Sequence, residues 1–473
     1  SDPDYEIKSN SWLLPVLRKY LKLHSLQLFL DYFFPQAAAL DDTIYSKPKD
    51  EWTDIERQLE IMYDQIWAIF PRFCKFTNEN LSNIQKIFEI TAQIIANRDD
   101  IRKYACQGLE ILSGYFLKLP KYRNQEYMQA QQDLEKYSTE LMPKLCSLYM
   151  AQKPGYKNII NLIRSLSALC RKEYLDKIYL THIKKLIEEK VQNKYKEHVV
   201  ANMKKCDILI AMSSSIDIAT TYDITKQFIK VFLPEKFGYQ KKAFKLLLSI
   251  SHRVHPSYLT EIYELMSDIP LVNTNSKSAK FDCFFNILEK IEYTPDNIEE
   301  VLKMVQKMLP ELLVALKEAS QKARKSACEI LKFLTNKLGE FDLLPIYISY
   351  VAAGFAAKTS LMKSAAIMAM AEILKEGKAK LNPEFVWETT TIVLLLIKEK
   401  NREVFRAVLQ YVKAFMKVVP KEFLQEHLYD ILVPLFEWDE DGRNHSKSLL
   451  RHFIEKLIRK LVIDKFLQLS FIG

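Results

Sequence analysis

Apolar positions recur at helical spacing along almost the whole chain, and the pattern is clearest in residues 400–461. There, Arg406 is followed by Val408, Tyr411, Val412, Phe415 and Val419. Lys447 is followed in the same way by Leu449, Phe453, Leu457 and Leu461. Between them, residues 421–436 carry their own stripe of Phe423, Leu424, Leu428, Ile431, Leu432 and Leu435. Spacings of three and four residues place each set on one face of an amphipathic helix. Pro420 and Gly442 punctuate the three helices. The first and last read as copies of one unit, and further copies lie upstream. Lys325-Ser326-Ala327 leads into Ile330, Leu331 and Leu334, and Lys363-Ser364-Ala365 leads into Met368, Ala369 and Ile373. The cations at 325, 363, 406 and 447 are thus 38, 43 and 41 residues apart. Weaker echoes at Lys242-Ala243-Phe244 and Lys280-Phe281-Asp282 keep the period, at 38 and then 45 residues to Lys325.

A two-helix unit repeating every 40 or so residues predicts an all-α, HEAT/armadillo-type α-solenoid. No single repeat buries its apolar face alone, so neighbours must stack. Taken in order, residues 11–35 predict a helix pair whose second member ends at Pro35. Residues 55–74 predict a longer helix ended or kinked at Pro71. Residues 81–97 and 100–118 make another pair, and a helix spans Gln125 to Met142. The Ser/Thr-rich run 212–223 marks a turn, with a helix start at Asp223. Residues 271–279 read as the linker, because they are polar and lack helical period. The expected division is therefore 1–270, with a basic middle, and 280–473, with the clean repeats.

Composition narrows the class. Hydrophobic residues make up 48% of the 473, enough for a core and too many for a disordered chain. Glycine occurs only 9 times, which disfavours hairpin-rich and Gly-loop folds. The seven cysteines are scattered, with no CxxC pair and no zinc spacing, so they read as free core thiols of a reducing compartment. No apolar run is long enough to span a membrane. The chain opens on Ser1 rather than Met, and a trimmed or processed form is expected.

Charge and motifs then bear on function. The motifs GxxxxGK[ST], GxGxxG, GxSxG and HExxH are absent, which leaves an enzyme reading without support, and no cofactor is expected. His252 and His255 form an HxxH whose plainer reading is a surface helix end. The formal net charge is +9, and residues 151–250 hold 19 Lys and Arg against 9 Asp and Glu, an excess that accounts for all of it. Within that window Lys184, Lys185, Lys204 and Lys205 are candidates for sequence-independent contact with RNA phosphates. Solvated helix faces are the alternative. The cations Lys325, Lys363, Arg406 and Lys447 form a column near the starts of second helices, which line the concave face in HEAT arrays. They face a polyanion or acidic partner helix, or each pairs with an acid of the adjacent repeat. In the terminal helix, Arg443, Lys447, Arg451, Glu455 and Arg459 make a charged stripe opposite Leu449, Phe453, Leu457 and Leu461.

Four stretches also resemble a known family: Trp12-Leu13-Leu14-Pro15 with Leu17 and Arg18, QIWAIFPRFC at 65–74, ALKEASQKARKSACEIL at 315–331, and WDEDGRNHSKSLLRHFIEKLIRK at 438–460. They are similar to the ribosomal RNA-processing protein 12 family. The last is the most specific, with an acidic cluster, a polar loop and a basic helix in fixed order. The resemblance covers residues 11–35, 58–75 and roughly 298–461. Members usually run to more than twice this length, and they carry a Gly where this chain has Leu461-Val462-Ile463. The resemblance implies a HEAT-repeat scaffold of the nucleolus and nucleus that joins the small-subunit precursor and aids its maturation and nuclear export. Its implied partners are precursor ribosomal RNA and small-subunit assembly proteins. The alternative with the same architecture is a karyopherin-like transport receptor that binds a small GTPase and cargo.

Overall fold

The computed structural model describes residues 12–22, 25–75, 83–118, 125–151, 155–236, 238–270, 274–399, 401–436 and 447–461. Among them every regular element is helical and none is a strand. Contacts divide the chain into two units, Ser1–Val254 and His255–Gly473.

The first unit opens with α1 (Leu13–Tyr20). Ser25 then accepts a hydrogen bond from the Leu28 amide and starts a helical stretch that passes through a π-turn, Phe29–Phe33, into α2 (Phe34–Ile44). The sequence reading ended this helix at Pro35. The proline instead lies in the first turn of α2, where its missing N–H costs little, and the π-turn before it absorbs the change of register. Next come α3 (Asp54–Phe73), α4 (Ile84–Asn97), α5 (Arg102–Phe116), α6 (Gln125–Met150), α7 (Tyr156–Ser167), α8 (Lys172–Val191), α9 (Val199–Met212), α10 (Ile218–Phe232) and α11 (Tyr239–Ser251). The helix α3 runs two residues past Pro71, and α6 continues through Pro143 to Met150 rather than stopping at Met142. The start expected at Asp223 lies at Asp217, whose carboxylate caps the Ala219 amide.

The helices α3, α5, α7, α9 and α11 stack in series, as the second members of successive pairs should. Their contact is close enough that a β-carbon on Gly108 in α5 would run into the Phe70 ring of α3. Phe70 itself sits against Trp67 and Phe29 of the π-turn, with Phe29 at 5.0 Å between ring centroids.

The second unit contains α12 (Leu259–Ser267), α13 (Lys277–Lys290), α14 (Ile298–Ala315), α15 (Gln321–Gly339), α16 (Leu344–Ala352), α17 (Ser360–Glu376), α18 (Pro383–Leu395), α19 (Arg402–Val418), α20 (Lys421–Glu426) and α21 (Leu428–Phe436). Residues 447–461 form a last helix, α22. Here α13, α15, α17 and α19 stack in series. The starts of three of these second helices are fixed by side chains that accept amide hydrogen bonds: Ser320 for α15, Thr359 for α17 and Asn401 for α19. Between α17 and α19, Ala365, Ala366, Ala369, Ala407 and Ala414 are all buried, and such small side chains permit close approach. Polar groups in the core find partners across helices: the Tyr411 and Thr390 hydroxyls lie 3.1 Å apart, as do those of Tyr179 and Thr225 at 3.0 Å in the first unit.

The polar stretch read as a linker is largely structured. Residues 274–276 form a 3-10 turn and α13 begins at Lys277, while 271–273 lie outside the described residues. Ser276, Ser278 and Lys280 are buried there, and Lys280 spends its ammonium on Glu311 and the Ile269 carbonyl, so the stretch packs inward. The division between units falls at Val254 and His255, ahead of that stretch.

Candidate functional site

The four lysines proposed in the basic middle separate into two kinds. Lys205 in α9 is 9% exposed, and its ammonium donates to Glu189 of α8 at 2.7 Å and to Asn202 at 3.0 Å. Asn202 completes the triangle by donating to the same carboxylate. Burial alone pushes Glu189 up, but the hydrogen bonds and charge of Lys205, with Asn202, hold it below the ordinary carboxylate value. Lys204 donates to the Met150 carbonyl at 2.6 Å and so caps the C-terminus of α6. Lys205 is thus a buried structural cation, against the expectation of an exposed contact, whereas Lys204 is half-buried and makes one structural bond. Lys184 and Lys185 are exposed and have no ion-pair partner among the described residues. Elsewhere in this window Arg171 pairs with Glu135, Lys190 with Glu235 and Lys242 with Asp207. Of these carboxylates only Glu135 comes from outside the window, so these pairs leave most of the local positive excess unanswered.

Of the cation column, Lys325, Lys363 and Arg406 lie near the starts of α15, α17 and α19, and Lys447 is the first described residue of α22. Its members are not equivalent. Lys363 is tied to Glu399 at the next repeat, the pairing that sequence reasoning held as the alternative. Lys325 is 3.7 Å from Glu329 on its own helix, and with both side chains exposed the pair contributes little. Arg406 and Lys447 are exposed without an ion-pair partner among the described residues. Arg451 is exposed and pairs with Glu455 at 3.0 Å. Arg443 lies outside the described residues. The echoes further back are structural, since Lys280 is fully buried and bonds Glu311 at 2.9 Å and the Ile269 carbonyl.

A further gathering of lysines was missed. A groove of about 520 Å³ lies where α17, α19 and α22 meet, lined by Lys375, Gln410, Lys413, Lys417, Lys456 and Lys460. Lys460 donates to the carbonyls of Met416 and Val419 and caps α19. Lys375 bonds Glu372 at 2.7 Å. Lys413, Lys417 and Lys456 have no carboxylate partner among the described residues. Burial and the neighbouring charge of Lys456 push Lys413 below its ordinary value, and burial with Lys378 does the same for Lys460. A signal was present in the sequence: Lys413 to Lys456 and Lys417 to Lys460 are each 43 residues apart, and Lys375 to Lys413 is 38. These are spacings of the first column, about two to four turns further along the same helices.

Catalytic chemistry finds no comparable gathering. Among the described residues no group of three His, Cys, Asp or Glu is placed to hold a metal ion. Six of the cysteines are buried and Cys328 is half-buried, all as free thiols; burial pushes Cys106, Cys146, Cys170 and Cys206 up to about 12, far from a reactive thiolate. His255 accepts from the Ser257 amide as a local cap. No helix among the described residues is long and apolar enough to cross a membrane.

A family model described as ribosomal RNA-processing protein 12, HEAT repeats, matches residues 2–152. The chain is 21% identical to ribosomal RNA-processing protein 12 of Saccharomyces cerevisiae, over 98% of its own length and 41% of the yeast protein. It is 23% identical to the putative ribosomal RNA-processing protein 12 of Schizosaccharomyces pombe, over 97% of this chain and 42% of that one. An RRP12-like protein of Homo sapiens is 22% identical, over 95% of this chain and 34% of its own. The chain thus spans well under half the length of these relatives. Among solved structures, importin beta crystallised in polyethylene glycol matches with a TM-score of 0.50 at 10% identity, covering 95% of this chain and 55% of importin beta, a likeness of fold alone. The chain is thus similar, along nearly its whole length, to relatives named for ribosomal RNA processing, and its residues 2–152 match the HEAT-repeat model of ribosomal RNA-processing protein 12.

Proposed function

We propose that the chain is a non-enzymatic scaffold in ribosome biogenesis. It joins the precursor of the small ribosomal subunit and supports processing of its RNA, its maturation and its nuclear export. Its partners in this reading are precursor ribosomal RNA and small-subunit assembly proteins, and its place is the nucleolus and nucleus, with passage to the cytoplasm alongside the particle. The observation that carries the reading is the alignment of 95–98% of the chain with relatives named for ribosomal RNA processing. Stacked helices that present unpaired cations suit it, because such surfaces hold polyanions without chemistry. Binding of a small GTPase and cargo rests on architecture alone, and the likeness to importin beta is one of fold.

The test is recovery of the tagged chain from cell extract on a density gradient, followed by probing for precursor RNA. Co-sedimentation with particles that contain small-subunit precursor RNA is expected, together with accumulation of unprocessed precursor when the protein is depleted. Recovery with a soluble GTPase and free cargo, with no precursor RNA, overturns the reading.

A further inference from the structure

We propose that the groove between α19 and α22 is a binding site for the phosphodiester backbone of single-stranded RNA, read without regard to base sequence. This rests on the scaffold reading above and gives it a contact surface.

Charge is the first part of the argument. Like-charged groups brought together cost free energy unless something else answers them, and a fold that keeps them together unanswered points to an anion from outside. Lys413 and Lys417 sit one turn apart on α19, and Lys456 faces them from α22. At other half-buried positions the stack neutralises a cation with a carboxylate from another helix or turn, as at Lys363 with Glu399 and Lys242 with Asp207, whereas Arg406 and Lys447, which also stay unpaired among the described residues, are exposed. Here the stack offers no carboxylate among the described residues. The depression of Lys413 and Lys460 by burial and by Lys456 and Lys378 is the electrostatic trace of that arrangement.

Shape and residue type indicate the kind of anion. The groove has no aromatic lining on which a base would stack and no branched apolar pocket to anchor a protein side chain. Its cations are all lysine. The planar fork that recognises a carboxylate in two-point fashion belongs to arginine, whereas lysine meets phosphate oxygens as a point charge. Gln410 adds one neutral donor. The same stacking that sets the 38–43 residue spacing carries the row from Lys375 through Lys413 to Lys456 across three helices, so the contact follows a chain of phosphates rather than a single one.

The experiment measures binding of a fluorescein-labelled 20-nucleotide oligouridine to the full chain by anisotropy over a salt series. The variants are Lys375→Gln/Lys413→Gln/Lys417→Gln/Lys456→Gln, the milder Lys413→Gln/Lys456→Gln, and Lys184→Gln/Lys185→Gln as a control. The fourfold variant is expected to lose at least ~10-fold in affinity. The slope of log affinity against log salt should shrink by up to about 3, at ~0.7 per lost phosphate contact. The twofold variant should lose part of this and melt no lower than wild type, because mutual repulsion has been removed. Unchanged affinity and slope in both groove variants overturns the site while leaving the scaffold reading intact. A polyglutamate peptide that binds wild type and not the variants, with RNA unaffected, overturns RNA in favour of an acidic protein segment. Wild type that binds no oligouridine also overturns the site, and the gradient test above then decides the scaffold reading separately.

Discussion

Lys205 shows how one residue changes meaning between sequence and structure. As a letter in KKCD it is a cation in a basic window. In the fold it is the buried partner of Glu189, and removing one member of a buried pair strands the other. Lys205→Ala is therefore expected to destabilise the first unit by about 3 kcal/mol, with little effect on RNA affinity. The sign of its pH dependence follows from Glu189, which is held below its ordinary value in the folded state. A carboxylate depressed on folding contributes stability above its unfolded value, roughly pH 4.3, and loses it as pH falls through the folded one. Urea melts at pH 7, 5 and 3.5 should show the gap between wild type and variant constant over the first two and narrowing at the third. A gap that is constant to pH 3.5 shows that the pair carries no such coupling. The charge of Lys205 was legible in the sequence and its partner was not, because the partner comes from a different helix at a distance set by packing.

At the scale of elements, the terminal helix divides its residues more sharply than its pattern does. The expected apolar stripe was Leu449, Phe453, Leu457 and Leu461. Phe453 is fully buried and Leu457 is nearly so, but Leu449 is 41% exposed and Leu450 takes the inner position beside them. The helix is also fastened to α19 through Lys460 and the Met416 carbonyl. Phe453→Ala should cost about 3–5 kcal/mol, and Leu450→Ala less because its site is at the rim. Leu449→Ala should stay within about 0.5 kcal/mol. Thermal melts followed by circular dichroism separate the three, and equal losses at 449 and 453 would refute the assigned face. Helix identity, pairing and repeat length were readable here because a period near 3.6 inside a period near 40 is a strong double signal. The π-turn ahead of Pro35 and the extension of α6 beyond Pro143 were not, because a proline reads as a stop in one dimension while neighbouring helices hold the chain in line in three. The lysine groove escaped for a related reason. Its members lie in the last turns of their helices, and attention to helix starts found the first column and passed over the second.

For the whole molecule, stacking in series makes stability a sum of local terms and nearest-neighbour contacts. A disturbance should then spread through the unit that contains it and fade along the chain. Two substitutions suit the question. Gly108→Ala drives a methyl into the Phe70 ring in the first unit. The ring is held by Phe29 and Trp67 and cannot retreat, so the expected cost of about 1–3 kcal/mol exceeds the ~1 kcal/mol that alanine offers a helix. Phe453→Ala opens a cavity in the second unit. Hydrogen exchange read by mass spectrometry resolves the two units in one experiment, because peptides from α3 to α11 and from α13 to α19 are scored separately. Gly108→Ala should speed exchange in the first set and leave the second near wild type, and Phe453→Ala should do the reverse. If either substitution accelerates both sets equally, the 473 residues unfold as one cooperative body. The contact division at Val254 and His255 would then have no energetic meaning. If the expected split is found, RNA contact through the α19–α22 groove can be weakened or strengthened without touching the Lys205–Glu189 core of the first unit. The two halves of the chain then answer independently to mutation.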